Sequence, residues 1–254
     1  MRNIVYAILL LVCVSSCITK KELVYIQNKS FKESVPTEFN TISKDYRLQP
    51  NDVLSVKVLS AQPELASPYN IMNPNSGFGF AEPGSLFLNG YSIDKDGSIS
   101  LPDVGKIKVA GLTTTEAEEL IQERVKQYIT DATVVTKLLS FKISVLGEVR
   151  NPGHFFIYNE RANILEGLSM AGDLTIGASR EDLKLVRQKP GSSEVILVDL
   201  TDPNLIQSQY YYLQPNDVLY VAPRKGYLTR ENLTLAGTFF GLISTTVLLL
   251  NYLK

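Results

Sequence analysis

The heptapeptide Leu-Gln-Pro-Asn-Asp-Val-Leu occurs twice in the sequence, at residues 48–54 and again at residues 213–219. In each copy Pro-Asn-Asp predicts a turn, and the apolar residues after it alternate as in a half-buried strand. An identical heptapeptide in two places indicates one turn-to-strand device that is used once in each of two domains. Asp52 and Asp217 are therefore predicted to cap their own turns, and they are not predicted to form a catalytic pair.

Composition and charge narrow the possible functions. The chain has 254 residues, with 25 Lys and Arg against 26 Asp and Glu, so its formal net charge is −1. That length allows one or two compact domains. A near-neutral chain lacks the basic surface that binds nucleic acid, so no nucleic-acid partner is expected. His154 is the single histidine, which leaves too few ligands for a histidine-rich metal site or a Ser/His/Asp triad. Neither a metal nor a cofactor is predicted.

The first domain is predicted at residues 45–140, where strands surround one helix. Residues 61–89 are rich in Pro and Gly and too long for an idle connection, so we expect them to be functional or flexible. Asp96-Gly97 predicts a hairpin turn. Thr113-x-x-Glu116 is a capping box in front of an amphipathic helix.

The second domain is predicted at residues 141–225. Its pattern is strand, strand, helix, strand, strand, with Asn163 as the helix cap and a turn at Asn151-Pro152-Gly153. About eighty residues in that order suit a unit of the β-grasp type. The predicted fold class is therefore α+β: a small α/β domain followed by a β-grasp domain.

The N-terminal residues 1–16 have the pattern of a secretory signal, with Arg2, a short apolar run and small residues before Cys17. Val14-Ser15-Ser16-Cys17 resembles a bacterial lipobox, which predicts lipidation of Cys17. Cys13 fits less well because Val12 stands where a small residue is required. The alternative is ordinary cleavage near Ser16, which would leave an incidental cysteine. Residues 17–44 are predicted to be a polar tether.

Residues 226–254 are predicted to form a C-terminal transmembrane helix. Leu233 to Leu253 is uncharged, and at about 1.5 Å per residue it would reach roughly 31 Å, close to the ~30 Å of membrane hydrocarbon. One predicted face is small and hydroxyl-rich, which suits a helix contact or a polar lumen: Thr234, Gly237, Thr238, Gly241, Ser244 and Thr245. The other is apolar and predicted to face lipid: Leu235, Phe239, Phe240, Ile243, Val247 and Leu250. A lone membrane anchor is the alternative.

Four phrases, taken in their order and spacing, resemble the bacterial outer-membrane polysaccharide export lipoprotein family, whose members combine an export-signature domain with a soluble-ligand-binding β-grasp domain. They are Tyr46-x-Leu48-x-Pro50-x-Asp52-x-Leu54, Asp96-Gly97-x-Ile99-x-Leu101-Pro102-x-x-Gly105, Val109-x-Gly111-Leu112-Thr113 and Gly147-Glu148-Val149-x-x-Pro152-Gly153. The resemblance runs from about residue 45 to residue 225. Asn51 and Asn216 stand where the family usually has Gly, and Asn is a residue that tolerates the left-handed backbone of such a turn. The chain also has one β-grasp domain where some relatives have two.

The resemblance implies a structural role for the signature residues Leu48, Pro50, Asp52, Gly97, Gly111, Gly147, Pro152 and Gly153. It further implies a lipid-anchored homo-oligomeric ring in the outer membrane, with the body in the periplasm and the C-terminal helices forming an α-helical barrel. Capsular or extracellular polysaccharide would pass through this pore without catalysis. The implied partner is an inner-membrane copolymerase or chain-length protein, often a tyrosine kinase.

Two other functions are compatible with the sequence. One is a membrane-anchored lipoprotein whose β-grasp domain binds a soluble ligand without forming a pore. The other is a hydrolase of the polymer, which would need a pair of carboxylates in a cleft. Asp52, Asp94, Asp96 and Asp217 are better explained as turn residues.

Overall fold

The computed structural model describes residues 23–28, 31, 35–41, 45–71, 90–189, 191–225 and 230–252. In the first domain the elements in chain order are β1 (Val53–Leu59), α1 (Pro63–Ala66), a 3₁₀ turn (Ser67–Tyr69), β2 (Tyr91–Ser92), β3 (Ser98–Leu101), β4 (Gly105–Lys108), α2 (Thr114–Val125) and β5 (Thr133–Leu138).

The core of the first domain lies between its strands and helix α2. Strand β1 is central in the sheet order β2-β1-β5 and antiparallel to both neighbours. Alternate β1 side chains point inward, as period-2 geometry requires. Helix α2 begins at the predicted capping box, in which Thr113 and Glu116 cap each other's backbone N–H groups. Its buried residues Ala117, Ile121 and Val125 are four positions apart, so they lie on one helix face.

The second domain contains β6 (Lys142–Gly147), β7 (Gly153–Phe156), α3 (Ile164–Met170), β8 (Ala178–Lys189), β9 (Ser192–Val198), a 3₁₀ turn (Pro203–Gln207) and β10 (Val218–Pro223). The predicted order of strand, strand, helix, strand, strand is confirmed from β6 to β9. The five-stranded sheet has the order β7-β6-β10-β8-β9. Strand β10 enters its centre, parallel to β6 and antiparallel to β8. Asn163 caps α3 as predicted.

Two details of the first domain differ from the prediction. The turn at Asp96-Gly97 is present, because Asp94 and Ser98 are joined by a backbone hydrogen bond of 2.8 Å. However, β3 pairs with β4, through the turn at residues 102–104, and not with the strand before Asp94. In the long Pro- and Gly-rich stretch, residues 63–69 form α1 and a 3₁₀ turn. Residues 72–89 lie outside the described residues.

Part of the predicted tether is attached to the second domain. The backbone N–H groups of Ile26 and Gln27 donate to the carbonyls of Leu200 and Thr201, at 2.9 and 2.7 Å. The Tyr25 hydroxyl donates to Asp173, and the Tyr25 ring lies 5.3 Å from the Arg180 guanidinium carbon. Residues 24–27 are therefore held against the body, which the polar sequence of the tether did not predict.

The C-terminal helix α4 (Arg230–Tyr252) is outside both cores. Its large apolar side chains are exposed wherever they are described, including Leu235, Phe239 and Ile243. Among the residues that the structure describes, no helix combines the length and the apolarity needed to cross a membrane. The transmembrane helix predicted for residues 226–254 is therefore not supported.

Candidate functional site

The two copies of the heptapeptide form the same turn. Asn51 and Asn216 both have left-handed backbones, with φ of 73° and 66°. In each copy the aspartate N–H donates to the glutamine carbonyl three residues earlier, over 3.1 Å. Each aspartate carboxylate in turn accepts the N–H of that glutamine, Gln49 at 2.9 Å and Gln214 at 2.7 Å. The prediction that both aspartates cap their own turns is confirmed.

Asp52 is buried among neutral donors. Its carboxylate accepts the Tyr46 hydroxyl at 2.8 Å and the Ser140 hydroxyl at 3.3 Å, besides the N–H of Gln49. Burial raises the pKa of the Asp52 carboxyl, and these hydrogen bonds oppose the rise because they favour the ionised form. Burial and the charge of Asp52 also raise the pKa of Tyr46, which keeps its hydroxyl protonated as a donor.

Asp217 is buried against a cation. Arg187 from β8 donates to both of its carboxylate oxygens, through Nε at 3.0 Å and Nη2 at 2.7 Å. Arg187 also donates to the Tyr212 carbonyl at 2.9 Å. Burial raises the pKa of the Asp217 carboxyl, and the Arg187 guanidinium opposes that rise. The ion pair fixes the second turn to β8.

The connection between the domains lies between the two turns. On one side, the Leu139 N–H donates to the Val53 carbonyl at 2.8 Å, and the Ser140 hydroxyl accepts the Val53 N–H at 3.1 Å. On the other side, the Lys142 carbonyl accepts the Asn216 N–H at 2.8 Å. The duplicated turns therefore clamp residues 139–142, which lead from β5 into β6. They set how the two domains meet.

Two clefts open beside this junction. The first has a volume of about 390 Å³ and is lined by residues of both domains, among them Lys137, Tyr158, Arg161 and Tyr212. The second, of about 460 Å³, is lined by the first turn together with Lys142, Phe156 and Gln188. Neither cleft was predicted, because the residues that line each one come from distant parts of the chain. The only local feature in the sequence is a tyrosine, Tyr158, followed by three polar residues.

The predicted signature residues lie in turns and at close contacts. Leu48 is in the first core, and Pro50 and Asp52 form the first turn. Gly97, Gly111 and Gly147 have φ of 83°, 86° and 89°. A Cβ on Gly147 would lie 2.1 Å from the Val221 carbonyl oxygen, so only glycine fits there. Pro152 and Gly153 lead into β7.

Every residue of the two predicted faces of the C-terminal helix is exposed wherever its side chain is described. The hydroxyls of Thr238 and Thr245 donate to backbone carbonyls of their own helix, each at 2.8 Å. Cys17 and the side chain of Leu250 lie outside the described residues.

The four carboxylates of the hydrolase alternative are engaged in turns. Asp94 accepts the backbone N–H groups of Asp96 and Ser98 and pairs with Lys106 at 2.9 Å. Asp96 lies 3.8 Å from Lys106, and Asp52 and Asp217 cap their turns. Within the described part of the chain, no three His, Cys, Asp or Glu side chains are grouped as metal ligands would be.

The sequence is similar to those of known export proteins. Residues 40–139 match the sequence model of the family described as "Polysaccharide biosynthesis/export protein". The chain is 27% identical over 184 residues to the EPS I polysaccharide export outer membrane protein EpsA of Ralstonia solanacearum, covering 71% of this chain and 48% of that protein. It is 30% identical over 147 residues to EpsA of Ralstonia nicotianae, covering 56% and 38%.

A third relative is the polysialic acid transport protein KpsD of Escherichia coli, 35% identical over 92 residues, which cover 34% of this chain and 16% of KpsD. The chain thus spans less than half the length of each of these relatives.

The fold and the junction define a two-domain α+β protein whose domains are joined through duplicated turns. The matched residues 40–139 contain almost all of the first domain. The first domain thus matches the polysaccharide export family, the family that the sequence phrases resemble.

Proposed function

We propose that this chain is a subunit of a homo-oligomeric ring that exports capsular or extracellular polysaccharide at the bacterial outer membrane. The observation that carries the proposal is the family match over the first domain, together with the export and transport functions in the names of EpsA and KpsD. The role is passage without catalysis. The polymer would be delivered by an inner-membrane copolymerase or chain-length protein.

We also propose that Cys17 is lipidated and that the second domain lies close to the membrane. Tyr25 is eight positions after Cys17, and eight fully extended residue steps span at most about 28 Å. Because Tyr25 to Gln27 are bonded to the second domain, an acylated Cys17 would keep that domain near the lipid surface. Two or three acyl chains are enough for a stable anchor.

The ring itself is supported by the exposed apolar side chains of α4. Phe239 is 70% exposed and Leu235 is 67% exposed, and α4 carries several more such residues. Apolar surface that the chain itself leaves uncovered marks a contact site, and we assign α4 to contacts between copies of the chain. Gly237 and Gly241, on the face opposite Leu235 and Phe239, would let two helices approach closely there.

The proposal is tested by deleting the gene in the producing bacterium and restoring it with variants. Deletion should remove surface polysaccharide, measured by sugar analysis of washed cells, and the intact gene should restore it. Cys17→Ser should release the protein from the outer-membrane fraction and lower export, whereas Cys13→Ser is the matched control. Undiminished surface polysaccharide after deletion would overturn the export role.

The ring is tested separately by light scattering of the detergent-extracted protein. A discrete closed oligomer is expected, and Thr238→Leu with Thr245→Leu should break it up. Substitutions on the other face, Val247→Leu with Ile243→Leu, are the control. A folded monomer would overturn the ring.

A second candidate function, a binding module without a pore, is favoured by the clefts at the domain junction. It shares the lipid anchor but predicts a monomer or dimer. The light-scattering result separates it from the ring.

A further inference from the structure

The geometry points to a carbohydrate subsite in the first cleft, the one of about 390 Å³ between the two domains. We infer that it holds a short segment of the polysaccharide, and this inference rests on the proposed export function. The volume is at the small end of the range for ligand sites and would take about two sugar rings.

The walls of this cleft come from both domains. The first domain contributes Asp45, the start of α2 and the end of β5. The second contributes Tyr158 to Arg161 and the residues that lead into the second turn. Because the clamped residues 139–142 fix the junction, the two walls are held at a defined separation. A preformed cleft binds without the entropic cost of ordering its walls.

Aromatic rings give the cleft an apolar platform. Tyr158 is 84% exposed, so its ring is accessible to a ligand in the cleft. Tyr212 is half-buried and packs edge-on against Tyr211, with 5.3 Å between ring centroids. Sugar rings present faces of C–H groups, and a flat aromatic surface buries such a face while leaving the hydroxyls free.

Two ion pairs cross the cleft from one domain to the other. Lys137 of the first domain pairs with Glu160 of the second at 2.6 Å, and Asp45 of the first pairs with Arg161 of the second at 3.5 Å. All four side chains are more than 60% exposed, so the pairs contribute little to stability. Their carboxylates and N–H groups can instead accept from and donate to sugar hydroxyls.

The charges of these two ion pairs indicate whether the cleft suits charged or uncharged sugar residues. Two acidic and two basic side chains make the cleft electrically neutral, although each group is charged. The site therefore suits uncharged sugar residues and would not select a strongly anionic stretch. Exposed walls and self-paired charges also favour weak binding, which a polymer that must move through the assembly requires.

The test measures binding of the purified, detergent-extracted protein to oligosaccharides of about six sugars, the length that would fill the cleft and extend beyond it. They are prepared by mild acid hydrolysis of the surface polysaccharide of the producing bacterium, and binding is followed by saturation-transfer NMR and titration calorimetry. Tyr158→Ala should weaken binding roughly tenfold, the effect of losing one aromatic contact. Arg161→Gln should weaken it by a smaller factor.

Two control variants alter residues outside the first cleft. Tyr128→Ala removes a tyrosine of the first domain that is 55% exposed and outside the cleft. Gln188→Ala alters the second cleft. Both should bind like the unaltered protein. Because Tyr158 and Arg161 are exposed, their variants should also keep the melting temperature of the unaltered protein.

The outcomes separate the subsite from the export role. If no variant changes binding, or no oligosaccharide binds, the subsite is wrong, while loss of export on gene deletion would still stand. If Tyr158→Ala weakens binding but gene deletion leaves export unchanged, the subsite stands and the export role fails.

Discussion

The turn at residues 48–54 and the turn at residues 213–219 have the same sequence, yet the carboxylates at their centres have different partners. Asp52 accepts hydrogen bonds from the hydroxyls of Tyr46 and Ser140. Asp217 accepts hydrogen bonds from the guanidinium of Arg187. The left-handed asparagine and the bond to the preceding glutamine are the same in both. Local sequence therefore determines the turn, whereas the other partners of each buried carboxylate come from outside the heptapeptide.

The largest effect should come from breaking the buried ion pair of the second turn. Arg187→Met leaves the Asp217 carboxylate buried without its cation, which should cost roughly 3–5 kcal/mol of unfolding free energy. Guanidinium chloride unfolding, followed by circular dichroism, measures it. The double variant Arg187→Met with Asp217→Asn is the control and should recover much of the loss. A cost for Arg187→Met below that of Tyr46→Phe would contradict the difference between the turns.

A smaller effect is expected at the first turn. Tyr46→Phe removes one neutral donor from Asp52, which should cost about 1–2 kcal/mol because the buried carboxylate keeps its other hydrogen bonds. Tyr211→Phe is the matched control, since Tyr211 lies at the corresponding position before the second turn. There Arg187, and not a tyrosine, donates to the aspartate. The same unfolding measurement applies. Equal losses for the two variants would mean that the tyrosine hydroxyl matters alike in both turns.

Protonation of Asp52 should contribute to the pH dependence of the unfolding free energy. Burial raises the pKa of this carboxyl above its ordinary value of 3.8, so the folded chain holds the proton to higher pH than the unfolded chain does. Stability from this group is present below about pH 4 and is lost as the pH rises through the raised pKa. Asp52→Asn cannot ionise and should lack that loss of stability. Unfolding free energies of both proteins between about pH 4 and pH 7 measure it, and parallel profiles would contradict it.

The sequence predicts the parts of this molecule that depend on neighbours along the chain. The capping box at Thr113, the cap at Asn163 and both heptapeptide turns are confirmed, because each is made by residues close together in sequence. Arg187 was missed because it meets Asp217 across 30 positions. The cleft was missed for the same reason: Lys137 and Glu160 face each other only when the domains are joined. The pairing of β3 with β4 shows that even a correctly predicted turn does not decide which strands pair.

The smallest effect on stability is expected from substituting the left-handed asparagine that both turns contain. Asn51→Gly and Asn216→Gly should each change stability by less than about 0.5 kcal/mol, because glycine adopts the left-handed backbone without strain but gains freedom when unfolded. Asn51→Ala and Asn216→Ala should each cost about 1 kcal/mol, because alanine is strained at positive φ. In both turns the asparagine N–H donates to a backbone carbonyl, of Ile93 and of Lys142, and neither bond depends on the side chain.

Equal costs at the two positions, measured by the same unfolding experiment, would show that the turns differ only at their aspartates. A cost at one position alone would mean that the surrounding strands, and not the shared heptapeptide, hold the backbone of that turn.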